Sequence, residues 1–522
     1  MRTSPTRRHL LLGGGLTALT GTTLLTGCSG ETGPANSPSG SDASSPTTGG
    51  TLRAAFVGGG AAETLNYFKG PTSVDYVRAR AAHGALGVLD PEAEDGVRYL
   101  LLEGIDAAPD LSSYTLRVRP GLTFTDGSPV TATDVLYSLQ AATTLGALPF
   151  LLPPTRLFTL DAAQVTDENT LVLPTAAPIA DGREVLCQST LVIKDGTTDF
   201  TVDTPTCGPF RLTSFEAGQG AAYERHDGWT VDGGAKLDGL EILTIADSAA
   251  RSNALTGGQV EYADGLSPVS ARTLSNQDGI TTTTSEVPYV TPIVFALNAA
   301  TVPEFGDVRV RRAFKLAADR QAMVDSVLYG AGVVGNDLPA IGFPGYAGDL
   351  EQREHDPEQA RELLAQAGAD GMSVTFTTGP EISGMLETAT LYAENLRGIG
   401  VDVTLDERAP GQLFSDPNYF TLPMTTSYSP PQPLFLASAS GSAGSPAAFG
   451  YADPQADALF AQARSTADAA ERASLLEQAQ RLRWENGNTV IPVFTRTVSA
   501  QSSSVTGIGV ANFTDFSSAT VR

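Results

Sequence analysis

The side chains best suited to chemistry are sparse in this chain and far apart. Its four histidines, His9, His83, His226 and His355, are far apart in sequence, and His355 with Glu354 and Glu358 is the group that resembles a metal cluster. That trio surrounds an Asp356-Pro357 helix start, where acids complement the positive end of the helix dipole, so it reads as capping and not as a metal centre. No Gly-x-Ser-x-Gly elbow is present to activate a serine. Gly58-Gly59-Gly60 has the glycine content of a phosphate cradle, yet no Lys-Ser or Lys-Thr follows it. Paired carboxylates are unavoidable among 58 acidic residues, and sequence alone cannot set two of them across a glycosidic bond. No catalytic residue, metal or cofactor is therefore expected. Cys187 and Cys207 stand 20 residues apart. In an exported chain such a pair is most simply a disulfide, contributing about 3 kcal/mol, with two buried thiols as the alternative.

Export is read from the N-terminus. Arg7-Arg8 precede a glycine-interrupted apolar run that ends at Leu25-Thr26-Gly27-Cys28, the pattern of a twin-arginine signal with a lipobox. Residues 1–27 are expected to be removed and Cys28 to be lipidated, which anchors the chain by its acyl groups. Residues 28–50, the modified Cys28 and a run of Ser, Gly, Pro and Thr, hold no large apolar residue and read as a tether. The whole sequence carries a net charge of −25, and cleavage would remove three arginines and no acid. So acidic a chain disfavours nucleic acid as a partner. With 522 residues it exceeds what one core usually serves.

The elements that would position a site centre on Tyr114–Leu139. Tyr114, Leu116 and Val118 alternate with polar residues as in a half-buried strand. After Pro120-Gly121, Leu122 and Phe124 resume the alternation, predicting a second short strand folded against the first. Asp126-Gly127 and Pro129 then end it. Thr131 and Asp134 form a capping box ahead of Val135, Leu136 and Leu139. Asp75 to Leu89 is a predicted helix. Asp307 caps a helix with Val310, Ala313, Phe314 and Ala317 on one face. Its Arg309, Arg311 and Arg312 read as bracing charges more than as an anion site.

The Tyr114–Leu139 order, together with Asp307–Gly330 and the Asp356-Pro357 helix, closely resembles the bacterial extracellular solute-binding proteins of family 5. These are the peptide, nickel and opine-binding components of ABC importers. The resemblance implies an α/β, two-lobed periplasmic-binding-protein-like fold of type II, cluster C, with an extra small subdomain on lobe I. Lobe I would comprise 51–68, 176–290 and 489–522, the subdomain 69–175, and lobe II 291–488. It further implies a monomeric surface lipoprotein on the extracellular face of the membrane. That protein would bind an oligopeptide or other small polar ligand between its lobes and deliver it to permease subunits. A surface adhesion or signalling lipoprotein, or an extracellular hydrolase, is the alternative.

The same resemblance makes Asn66, Tyr67, Ser427 and Tyr428 the expected ligand contacts. Peptide-binding relatives place an Asp in the second lobe to hold the ligand's α-ammonium. The matching stretch here, Thr425 to Phe435, has no acid. A free ammonium is thus expected to lack its partner unless Glu63 or Asp416 supplies one, and a neutral, hydroxylated or N-blocked ligand is favoured.

Overall fold

The computed structural model describes residues 48–70, 72–93, 96–148, 151–432, 448–510 and 513–522. The signal, Cys28, most of the tether and the 433–435 end of the acid-free stretch lie outside them. Two mixed sheets organise the described residues, one per lobe.

The lobe I sheet has the order Ile280–Thr284, Val498–Ser502, Tyr262–Ala263, Thr51–Phe56, Gly239–Thr244, Gly220–Arg225, Phe210–Glu216. Thr51–Phe56 runs parallel to both of its neighbours. Leu52, Ala54 and Phe56 enter one core and Ala55 another on the opposite face, as a parallel strand covered on both sides requires.

The lobe II sheet has the order Gly332–Val334, Thr489–Thr495, Thr291–Leu297, Met424–Tyr428, Ser373–Thr378, Asp402–Glu407. Thr489–Thr495 was expected in lobe I. It pairs instead with Thr291–Leu297 and Gly332–Val334, because Val490 and Val493 are buried in the lobe II core. The return crossing is therefore at Arg496-Thr497. These two residues meet the outgoing crossing directly: Arg496 Nη1 donates to Ser285 O at 2.7 Å, and Thr497 N donates to Ser285 Oγ at 3.0 Å.

The subdomain holds a sheet of Leu102–Ala107, Ser113–Val118, Thr170–Pro174 and Gln164–Asp167. The hairpin expected at Leu122–Phe124 does not form. Ser113–Val118 pairs with Leu102–Ala107 and Thr170–Pro174 on its two edges, so no edge is left, and Leu122 and Phe124 are buried from an irregular loop. The predicted helix over 75–89 is shorter, Ser73–Ala82, and Gly87–Leu89 is a strand. The capping box is as expected: Asp134 Oδ2 accepts from Thr131 N at 2.8 Å ahead of helix Ala132–Thr144. The core of this part continues past residue 175, through Val185, Leu186 and Ile193.

No disulfide joins Cys187 to Cys207, which corrects the expected pairing. Both thiols are buried. A Cβ on Gly87 would lie 2.8 Å from Cys187 Sγ, whereas Cys207 Sγ donates to Val192 O at 3.5 Å. Burial pushes the Cys207 thiol up to about 12, so it stays protonated and unreactive.

Lobe II is braced from within. Asp337 is fully buried and accepts from Arg320 Nη2 at 2.9 Å, Arg353 Nε at 2.9 Å and Ile491 N at 3.1 Å. Lys315, also fully buried, donates to Trp484 O at 2.8 Å near the C-terminus of helix Ala469–Asn486, where a cation complements the dipole. Of the three arginines in helix Val308–Ala317, Arg309 pairs with Asp307 and Arg312 with Glu485. Arg311 donates to Asn486 O and Phe305 O. They brace, as expected. Past residue 175, where its core continues, the subdomain also touches lobe II. Ala180 N donates to Arg464 O at 2.7 Å, and Arg464 Nη2 lies 3.1 Å from the buried carboxylate of Asp181.

Candidate functional site

Strand direction locates the site. In lobe I, Thr284 pairs with Val498, and the antiparallel register places Ala263 opposite Ala500. The chain therefore leaves and re-enters at the carboxyl ends of the parallel strands Thr51–Phe56, Gly239–Thr244 and Tyr262–Ala263. In lobe II, Ile293 pairs with Tyr428 and Thr291 with Thr495. Met424–Tyr428 is parallel to Ser373–Thr378, which is parallel to Asp402–Glu407. All three carboxyl ends thus point toward the same two crossings. Loops beyond the carboxyl ends of parallel strands are where α/β sheets bind ligands. Here residues 57–66, 245–247 and 264–267 of lobe I and 379–384, 408–414 and 429–432 of lobe II make up that set.

The glycine triplet begins the first of these loops. A Cβ on Gly58 would sit 1.9 Å from Thr244 Cγ2 and 2.2 Å from Glu63 Oε1, so only glycine fits. Glu63 folds back and fills the loop itself. Its carboxylate accepts from Arg78 Nη1 at 2.6 Å, Thr244 Oγ1 at 3.1 Å, and the amides of Gly60 and Gly218 at 3.2 Å. The amides of this glycine-rich loop are thus occupied by the chain's own acid. The Glu63 side chain is fully buried in this loop, so it is not presented to a ligand ammonium.

Of the expected contacts, Asn66 is half-buried and its side-chain oxygen accepts from Phe68 N at 3.2 Å. Tyr67 is corrected to a core residue. It is 1% exposed, its hydroxyl donates to Leu191 O at 3.0 Å, and its ring stacks on Phe68 at 4.3 Å. Ser427 and Tyr428 close the strand Met424–Tyr428 at the crossing end, both half-buried. The Tyr428 ring lies 5.4 Å from that of the partly exposed Phe414. Burial pushes the Tyr428 hydroxyl up to about 12, with Glu381 adding to the shift. Burial raises the hydroxyl of Tyr76, on helix Ser73–Ala82, and the charges of Asp75 and Tyr428 add to the shift. Asp416, the other acid considered, lies 3.7 Å from Arg408.

Three residues that sequence reasoning passed over shape these loops. Arg251 is 2% exposed and donates from Nε to Asp264 O, from Nη1 to Ile245 O and Ala246 O, and from Nη2 to Gly265 O, at 2.6–2.9 Å. It ties the ends of two lobe I strands together. Glu381 does the same in lobe II by accepting from Gly411 N at 3.0 Å and Leu413 N at 3.1 Å. Asp264 follows Tyr262–Ala263 directly at the crossing end. No local pattern marks any of the three, since their partners are 13 to 32 residues away for most bonds.

Known proteins share this arrangement. The structure superposes on the periplasmic binding protein DppA from Helicobacter pylori in complex with peptide STSA with a TM-score of 0.77 at 19% identity, covering 91% of this chain and 98% of that one. On the binding protein AgaA from A. tumefaciens R10 in complex with agropinic acid the TM-score is 0.76 at 22% identity, over 91% and 99% of the two chains. In sequence, the glutathione-binding protein GsiB of Pectobacterium atrosepticum is 24% identical over 446 residues, 80% of this chain and 84% of that protein. GsiB of Salmonella typhimurium is 24% identical over 483 residues, 87% and 91%. Among the described residues no helix is long and apolar enough to cross a membrane. The profile of the bacterial extracellular solute-binding proteins, family 5 (middle portion), matches residues 96–446, and with two carboxyl-end loop sets facing one pair of crossings, the chain belongs to that family.

Proposed function

We propose that this protein is the ligand-collecting component of an ABC importer, binding an oligopeptide or other small polar solute between its lobes and handing it to permease subunits. The observation that carries this reading is the convergence of both sheets' carboxyl-end loops on the two crossings. A solute lying there touches both lobes at once and so favours their approach over their separation. The printed ligands of relatives, glutathione, the peptide STSA and agropinic acid, support small polar solutes as the class. Asn66, Ser427 and Tyr428 are the proposed contacts. The protein acts as a monomer held by lipidated Cys28 on the outer face of the membrane.

Mass spectrometry of protein released from its native cells, first intact and then denatured, tests the binding reading. A small solute is expected to leave on denaturation, and Tyr428→Ala is expected to reduce its recovery. Protein that carries no solute and binds none of a peptide and sugar panel would refute it. The anchor is tested separately. Cys28→Ala should move the protein from the membrane to the soluble fraction with its melting temperature unchanged, because residues 28–50 separate anchor from core. A variant still in the membrane fraction would overturn lipidation.

A further inference from the structure

The sequence Glu261-Tyr262-Ala263-Asp264-Gly265 puts Tyr262 and Asp264 on one face of the short strand that flanks Thr51–Phe56. Asp264 N donates to Ala55 O at 2.9 Å, which carries the ladder one residue toward the cleft and fixes where the carboxylate starts. The Tyr262 hydroxyl donates to Asp264 Oδ1 at 3.0 Å. Among the described residues, Oδ2 receives no hydrogen bond and no cation comes within ion-pair distance. Arg251 is nearby, but each of its nitrogens is spent on a backbone carbonyl.

The contrast with other deeply set acids is informative. Glu63 faces Arg78, Asp181 faces Arg464, and Asp337 faces Arg320 and Arg353. A carboxylate taken largely out of water without such a partner is unfavourable, and when it sits in a cleft it is a candidate for a ligand contact. Asp264 stays half-buried at the carboxyl end of a cleft strand, so its open oxygen is within reach of a solute. Burial raises its carboxyl to about 6, the tyrosine hydrogen bond and Arg251 opposing the shift, which leaves it ionised at neutral pH.

We propose that Asp264 is a ligand-binding residue that receives a positively charged group of the solute, an ammonium or a guanidinium. The assignment rests on the solute lying between the lobes. It moves recognition of positive charge to lobe I, whereas the described residues 425–432 of lobe II contain no acid. The sequence expectation of a neutral ligand is revised accordingly.

The test uses the full chain and matched probes measured by titration calorimetry: the tripeptide amides Ac-Ala-Lys-Ala and Ac-Ala-Arg-Ala, their norleucine counterpart, and tri-alanine with a free or acetylated N-terminus. A charge-assisted hydrogen bond sets the scale, so at least one charged probe is expected to bind on the order of 10- to 100-fold tighter than its neutral counterpart. Asp264→Asn keeps an acceptor for Tyr262 and should abolish that ratio without weakening the neutral probe. Asp264→Glu should restore part of it. A ratio that persists in Asp264→Asn, or charged probes that bind no tighter than neutral ones, would overturn the assignment. So would a native solute that carries no amine or guanidine, an outcome that leaves solute binding intact. Absence of any solute and of all probe binding overturns both readings.

Discussion

Replacing Asp337 by asparagine is expected to destabilise the protein by about 3–5 kcal/mol, the range for breaking a buried ion pair by removing one partner. Arg320 is 3% exposed and Lys315 0%, and the substitution leaves both cations without their counter-charge while keeping the side chain's volume. Denaturant unfolding at pH 7 reads the loss as a lower midpoint. A midpoint within experimental error of wild type would mean that backbone carbonyls alone satisfy the two cations.

The pH dependence has a definite sign on each side. Burial alone would raise the Asp337 carboxyl, but Arg320, Lys315 and Arg353 together outweigh it and hold it below the usual 3.8. Its contribution is therefore present above that value and is lost as pH falls below it. Lys315 behaves oppositely. Burial lowers it from 10.5 to about 7, so between those values the unfolded chain holds the extra proton and stability rises with pH. Asp337→Asn removes a charge that raises Lys315, and the rise should then begin at lower pH than in wild type.

Arg251→Met should cost about 3 kcal/mol or more, because four carbonyl oxygens lose a donor in a place that water reaches poorly. The effect has a functional side. Ile245, Ala246, Asp264 and Gly265 end two lobe I strands at the cleft, and without their common clamp these ends are free to move apart. Amide exchange at 264–267 is expected to speed up in the variant more than at the subdomain strand Ser113–Val118. Equal exchange at both would show that Arg251 contributes only to global stability.

What could be read from the sequence is what depends on neighbours in the chain. The Thr131–Asp134 box, the Asp307 cap and the Asp356-Pro357 start are devices whose partners lie two or three residues apart, and each has the expected hydrogen bond. Leu122 and Phe124 misled because alternation records which side chains are buried and not what the backbone pairs with. The partners of Ser113–Val118 were set by strands on either side of that turn. Tyr67 misled for a related reason: its hydroxyl acceptor, Leu191, lies 124 residues on, and no local rule tells a loop aromatic that enters the cleft from one that enters the core. The cysteine spacing carried no information about whether the two thiols meet, and in the structure they do not bond. Asp264 was invisible because its significance lies in what does not pair with it. That can be judged only once Arg251 is seen to be fully engaged with backbone.

The grip of Ala180 and Asp181 on Arg464 bears on how long a solute stays. Drawing the lobes apart must break a 2.7 Å backbone hydrogen bond and a 3.1 Å ion pair, and neither involves whatever lies in the cleft. Such a contact adds the same increment to the opening barrier for every occupant. It lengthens all dwell times by one common factor and cancels from the ratio between any two solutes. Discrimination is left to the carboxyl-end loops, while the subdomain sets a shared clock for release.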